Sequence, residues 1–223
     1  MMPVLINPSI LGADLLHLSD ELRALKEGGA DYIHFDVMDG RFVPEISFGE
    51  LLLREVRAFS DIPTDVHLMV TESERHLDSF IRAGASRITV HVEAAEDLSG
   101  ILDTLEQAGV LSGISVNPET PVVSVFPYLD RVDSILVMTV HPGFGGQHFM
   151  EESLPRIRTL REEIVRKGSR TRIAVDGGIN TETALLARKA GADTFVSGTF
   201  VFRNGPETVI RKLRELLEDP QVE

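Results

Sequence analysis

The amino-acid sequence predicts a closed (β/α)8 TIM barrel, eight parallel strands ringed by helices, and three observations carry that prediction. A Gly-Ala junction recurs at Gly28-Gly29-Ala30-Asp31, Ala83-Gly84-Ala85-Ser86, Ala108-Gly109-Val110 and Ala190-Gly191-Ala192-Asp193, each time after an amphipathic stretch and before an apolar run. Glycine there supplies the left-handed cap that ends a helix, and a β-rich run begins at once. Runs of β-branched and apolar residues alternate with helical patterns, as in a parallel sheet covered on both faces. No compositional break or linker divides the 223 residues, and barrels of this kind commonly run to this length as one domain, so residues 1–223 read as a single barrel.

In chain order, the first strand spans residues 4–11 and a helix follows over 15–26. The second strand, 32–37, alternates: His34, Asp36 and Met38 share one face, and Ile33, Phe35 and Val37 the other. The third, 64–69, sets His67 on the same face as Met69, and a helix covers 72–83. The fourth strand, 88–92, leads through a helix at 95–107 to the fifth, 111–117. The connection at 121–128 is short, with a weak helical pattern, before the sixth strand at 134–140. Helices at 151–167 and 181–190 flank the seventh strand, 172–176, and the eighth spans 194–197. A last helix, 206–217, opens with Pro206 in its first turn, where a missing N–H is tolerated.

At 43% hydrophobic and 26% charged residues, the composition is that of an ordinary globular protein. There is no cysteine, which excludes disulfides and thiolate chemistry and fits a cytoplasmic location. Met-Met-Pro-Val-Leu-Ile enters the first strand without the basic and apolar segments of a secretory signal. A net charge of −13 argues against nucleic acid and against anionic membrane surfaces as partners. An anionic substrate must therefore be drawn by local features. Assembly into a homo-oligomer is compatible with the sequence and not specified by it.

Asp36, His67, His91, Asn117, Met138, Asp176 and Gly198 fall at C-terminal strand ends, the face on which barrel enzymes carry their sites. His34, Asp36, His67 and Asp176 bring two imidazoles and two carboxylates, a nitrogen and oxygen set suited to one divalent metal ion. Zinc, iron(II), manganese and cobalt all fit such a set. Two carboxylates at one site can also handle a proton on opposite sides of a substrate. Taken singly, His34 and His67 read as hydrogen-bonded core histidines and Asp36 as a capping carboxylate. Met38, Met69 and Met138 read equally as core filler or as an apolar pocket lining. His91 and Glu93 read as buried partners without a catalytic role.

Three glycine-rich loops follow the last three strands: Pro142-Gly143-Phe144-Gly145-Gly146-Gln147, Asp176-Gly177-Gly178-Ile179-Asn180 and Ser197-Gly198-Thr199. Glycine lets backbone N–H groups approach an anion closely, and loops after strands seven and eight are a frequent phosphate site in this fold.

Pro8-Ser9-Ile10-Leu11, the run from His34 to Pro44, Asp65-Val66-His67-Leu68-Met69-Val70, the run from Pro142 to Gln147 and Val175-Asp176-Gly177-Gly178-Ile179 together resemble the ribulose-phosphate 3-epimerase family, in order and almost end to end. The resemblance implies an enzyme that inverts C3 of a ketose phosphate, interconverting D-ribulose 5-phosphate and D-xylulose 5-phosphate through a cis-enediolate. It implies a divalent metal on His34, Asp36, His67 and Asp176, with Asp36 and Asp176 as the catalytic acid and base. By the same likeness Ser9, His67 and Asp176 contact the substrate, and Gly143, Phe144, Gly145, Gly146, Gly177, Gly178, Gly198 and Thr199 hold its phosphate end. Gly12, Glu45, His141 and Thr199 depart from the family's usual residues without removing a ligand or an acid/base group. A 3-epimerase of a hexulose phosphate such as D-allulose 6-phosphate, or a non-catalytic sugar-phosphate-binding barrel, remains as an alternative. A barrel lyase would be expected to carry a strand-end lysine, which these motifs lack.

Overall fold

Segments in which apolar and polar residues alternate become strands, and the wholly amphipathic segments between them become helices. In the computed structural model, which describes residues 2–219, the strands are β1 (Leu5–Pro8), β2 (Ile33–Met38), β3 (Thr64–Met69), β4 (Arg87–His91), β5 (Leu111–Val116), β6 (Ser134–Met138), β7 (Arg172–Asp176) and β8 (Thr194–Ser197). All pair in parallel, in the order β1-β8-β7-β6-β5-β4-β3-β2, a nearly closed barrel. The helices are α1 (Leu18–Gly28), α2 (Glu50–Phe59), α3 (Leu77–Arg82), α4 (Leu98–Gln107), α5 (Ser153–Lys167), α6 (Thr181–Ala190), α7 (Thr199–Arg203) and α8 (Pro206–Leu217). Gly29 and Gly191 end α1 and α6 in the left-handed conformation that the recurrent junction predicts. Among the described residues, no helix is long and apolar enough to cross a membrane.

Ring closure falls between β1 and β2. There the Asp31 N–H donates to the Ile6 carbonyl at 3.0 Å, the Ile6 N–H donates to the Asp31 carboxylate at 2.7 Å, and Ser9 and His34 form a parallel bridge. Outward-facing Ile33, Phe35, Val37, Val66, Leu68, Ile88 and Val90 join Leu22, Leu25, Leu53, Val56, Phe80 and Leu102 of the helices in the main core. The barrel interior differs from one side to the other. Leu136, Met138, Val140, Ala174 and Val196 form an apolar cluster on the β6–β8 side. Asn7, His34, Asp36, Asp65, His67, Arg87, Thr89 and His91, on β1–β4, are all buried and polar.

Boundaries differ from the sequence reading where local chemistry intervenes. β1 stops at Pro8, because Ser9 turns to cap a 3-10 turn, its hydroxyl accepting from the Leu11 N–H. The helix predicted from residue 15 begins as a 3-10 turn, Leu15–His17, before α1. The helix predicted over 72–83 divides into a 3-10 turn at Ser73–Arg75 and α3, and Glu72 takes a left-handed φ of 53°. Residues 121–128 supply a 3-10 helix, Val122–Tyr128, in place of an α-helix. α2 and α7 are additional to the predicted set.

Candidate active site and metal centre

Period-two alternation aims His34 and Asp36 of β2, His67 of β3 and Asp176 of β7 at one point. One ligand atom from each lies within 4.8 Å of all the others. Asp36 is central: its Oδ1 lies 3.3 Å from His34 Nε2 and 3.1 Å from His67 Nδ1, while its Oδ2 accepts the Ser9 hydroxyl at 2.5 Å. Asp176 Oδ2 lies 3.9 Å from His67 Nδ1. On its far side His34 Nδ1 lies 3.1 Å from Asp65 Oδ2, which also accepts from Asn7 Nδ2 at 3.0 Å. An ionised carboxylate only accepts, so the one proton that His34 keeps when neutral, as a metal ligand must be, belongs on Nδ1. That leaves Nε2 buried among carboxylates with no hydrogen-bond partner among the described residues. A carboxylate behind a histidine whose other nitrogen is free is how proteins orient a metal ligand.

Without a cation, protons balance the charges of this cluster. Burial works against ionising Asp36, yet the His34 and His67 rings outweigh it and hold the carboxyl far below the usual range. Burial likewise opposes Asp65, and the Arg87 guanidinium and His34 overcome it. Burial and then the charge of Asp36 push Asp176 up to about 8, with His34 and the Gly177 N–H offsetting only part. Burial also opposes a charged His34, but Asp36 and Asp65 on either side raise its pKa well above the ordinary value. His67 stays neutral, since burial lowers it to about 4. Three carboxylates facing one guanidinium leave two positive charges wanting. Two protons, on His34 and Asp176, fill that deficit, and a divalent cation would fill it equally.

A cavity of about 310 Å³ opens from this cluster to the surface. Ser9, Asp36, Met38, Met69, Met138 and Asp176 line it at the strand ends, and Gly143, Phe144, Gly145, Gly146, Gly177, Gly178, Gly198 and Thr199 line it from the loops. His34 and His67 are fully buried and do not line it, so His67 meets the cavity only through Asp36 and Asp176. The methionines are both core and wall: Met38 and Met69 pack with Val43, Met138 packs with Leu136 and Val140, and all three border the cavity. A Cβ added at Gly145 or Gly146 would sit 3.7 Å from Thr199 Oγ1, so the loops after β6 and β8 face each other. At Gly178 a Cβ would meet the Phe149 N at 2.4 Å, and at Gly12 it would meet the Gly198 C and Thr199 N at 2.7 Å. Serine at position 12 would therefore require the β8 loop to move.

Some groups were not singled out from sequence. Asp65, Asn7 and Arg87 build the layer beneath the quartet, with Arg87 Nε 3.6 Å from Asp65 Oδ1. Arg203 is the one cationic side chain among the described residues lining the cavity. His91 and Glu93, read as buried partners, extend from His67 away from the quartet. His141 is exposed, its Nδ1 lies 3.2 Å from Glu119 Oε1, and it is outside the cavity lining.

Residues 5–202 match the model of the ribulose-phosphate 3 epimerase family. A ribulose-phosphate 3-epimerase of Bacillus subtilis (strain 168) is 44% identical over 198 residues, covering 88% of this chain and 91% of that protein. The chloroplastic ribulose-5-phosphate-3-epimerase of Arabidopsis thaliana is 40% identical over 89% of this chain and 72% of that protein. Among solved structures, N-(5'-phosphoribosyl)anthranilate isomerase from Pyrococcus furiosus superposes with a TM-score of 0.66 at 18% identity, covering 97% of this chain and 99% of that one. The tryptophan synthase alpha chain of Legionella pneumophila gives 0.65 at 14% identity, over 98% of this chain and 93% of that one. At those identities the likeness is one of fold.

Proposed function

The chain belongs to the ribulose-phosphate 3-epimerase family, and from that premise we propose that it interconverts D-ribulose 5-phosphate and D-xylulose 5-phosphate by moving a proton between Asp36 and Asp176. The observation that carries this reading is the placement of the two carboxylates. They stand on β2 and β7, separated around the ring by β1 and β8, and both border the cavity. One carboxylate takes the C3 proton, and the C–H electron pair passes into a planar cis-enediolate. The other, having taken a proton from solvent, protonates C3 from the opposite face; the pair returns to form the new C–H bond, the centre is inverted, and the first carboxylate gives its proton back to solvent. With a single base, the proton would return to the face it left.

His34, Asp36, His67 and Asp176 would hold a divalent ion, whether zinc, iron(II), manganese or cobalt. Such an ion supplies the positive charge that acidifies the C3 hydrogen and stabilises the enediolate. Ser9 holds Asp36 by its Oδ2. Met38, Met69 and Met138 give the flat intermediate a dry, polarisable surround. Backbone N–H groups of Gly145-Gly146, Gly177-Gly178 and Gly198-Thr199 would take the phosphate, and Arg203 would add the charge that an acidic chain otherwise lacks.

The test is isotopic. In deuterated water, with metal in excess, Asp176→Asn should lose about 10²–10⁴-fold in epimerisation while still exchanging the C3 hydrogen of one epimer. Asp36→Asn should exchange only the other. Near wild-type epimerisation by either metal-loaded variant rejects the two-carboxylate mechanism. Initial rates on pentulose and hexulose phosphates, run side by side, test the substrate.

A further inference from the structure

We propose that Glu93, acting through His91, fixes which nitrogen of His67 carries its proton and so keeps Nδ1 open as a cation ligand. The proposal rests on reading His34, Asp36, His67 and Asp176 as a cation site, and it concerns positioning residues outside that set. His67 Nε2 lies 2.8 Å from His91 Nε2, and His91 Nδ1 lies 3.2 Å from Glu93 Oε2. Both rings are fully buried, and Phe42 closes over His91 with ring centroids 4.8 Å apart.

With both rings neutral, one arrangement of protons satisfies this chain. Glu93, as a carboxylate, only accepts, so His91 carries its proton on Nδ1. Neutral His91 then presents a bare Nε2, which accepts from His67 Nε2. Neutral His67 is left with a bare Nδ1, the nitrogen that faces Asp36 and Asp176. Were the proton on Nδ1 instead, two bare Nε2 atoms would oppose each other at 2.8 Å in a buried site. Asp36 has a donor of its own, the Ser9 hydroxyl on its Oδ2.

Glu93 is itself oriented. Its Oε1 accepts the Asn117 N–H at 2.8 Å and the Thr120 hydroxyl, which leaves Oε2 for His91. In Glu93→Gln the side-chain carbonyl must stay on the Oε1 side to serve those two donors, so the amide NH2 turns toward His91 Nδ1. His91 must then accept at Nδ1 and donate from Nε2. His67 accepts at Nε2, and its own proton moves to Nδ1, capping the ligand nitrogen. A neutral substitution of equal size thereby reverses both tautomers.

Two readouts test this without recourse to turnover: two-bond 1H–15N correlation spectra of the metal-free protein, and zinc affinity by chelator competition. Wild type should show His67 protonated on Nε2. Glu93→Gln should show it on Nδ1 and bind zinc about 10–100-fold more weakly, the usual scale for removing a ligand's outer partner. His91→Phe keeps the ring volume against Phe42 and removes the acceptor; it should move both readouts the same way, and it serves should Glu93→Gln fail to fold. A wild type that binds zinc, beside a folded variant that keeps the Nε2 proton and full affinity, overturns the relay. Tautomers that switch as described in a protein that binds no zinc would uphold the proton order and overturn the cation reading, so the two failures are distinct.

Discussion

The two sides of the barrel interior lie at similar depth and are built from opposite materials. On the β1–β4 side, Asn7, His34, Asp65, His67, Arg87 and His91 form a buried polar layer in which each group orients the next. On the β6–β8 side, Leu136, Met138, Val140, Ala174 and Val196 fill the same ring with hydrocarbon and sulfur. Each side delivers one carboxylate, and the surroundings set its character. Asp36, with a hydroxyl on one oxygen and two imidazoles on the other, stays ionised. Asp176 stands above an apolar wall and holds its proton up to about pH 8. One half of the barrel tunes charge, and the other keeps the site dry and shaped.

The largest effect on stability should come from breaking the polar side. Asp65→Asn removes the counter-charge of buried Arg87, and breaking such a pair typically costs about 3–5 kcal/mol. Leu136→Met on the apolar side nearly conserves volume and should cost less than about 1.5 kcal/mol. Urea denaturation of both metal-free variants checks the ranking; if Asp65→Asn is the milder change, the polar layer is not what holds that half.

A second prediction sharpens the contrast in proton affinity. Without a cation, His34 and Asp176 both carry protons at neutral pH, because their pKa values are raised. A divalent ion must expel them, so binding at pH 7 should release about two protons, and affinity should fall as pH falls, approaching hundredfold per unit. Above about pH 8 Asp176 has already lost its proton, and the release should drop toward one. His67, neutral well below this range, contributes none. Calorimetry in buffers of differing ionisation enthalpy measures the count, and a release independent of pH from 6 to 9 would contradict the assignment.

The smallest effect concerns the cavity rim. Arg203→Ala should raise KM for a sugar phosphate several-fold with kcat little changed, and the difference should shrink at high salt, as exposed charges are screened. Gly178→Val is a poorer probe of phosphate binding than its place in the loop suggests. Its side chain would strike the Phe149 backbone first, so a raised KM would report a displaced loop.

Much of this was legible from residue order, for identifiable reasons. Alternation at period two is enough to aim His34, Asp36 and His67 inward, and Thr64–Met69, Arg172–Asp176 and Thr194–Ser197 are bounded as the pattern predicts. α2 escaped because Leu51, Leu52 and Leu53 in succession blur the helical period, and Leu51 points to solvent. Asp65 could be assigned a face but not a role, since its value lies in the strand register that sets it opposite His34 and beside Arg87. Glu93 lies beyond β4, and its orientation depends on Asn117 and Thr120, more than twenty residues away. Partnerships across strands are not written in any one strand.

Where β1 meets β2, the ring is joined by the Asp31–Ile6 contacts and the Ser9–His34 bridge, and those last two residues serve the site. β1 is made before the other seven strands, yet it pairs with β8, Leu5 against Thr194. A growing chain therefore displays His34, Asp36 and His67 long before Asp176 exists to complete them. Metal met at that stage would find three ligands on an open sheet, with no ring to exclude water. On the proposed mechanism competence waits for the last two strands, since β7 brings Asp176 and β8 closes the ring.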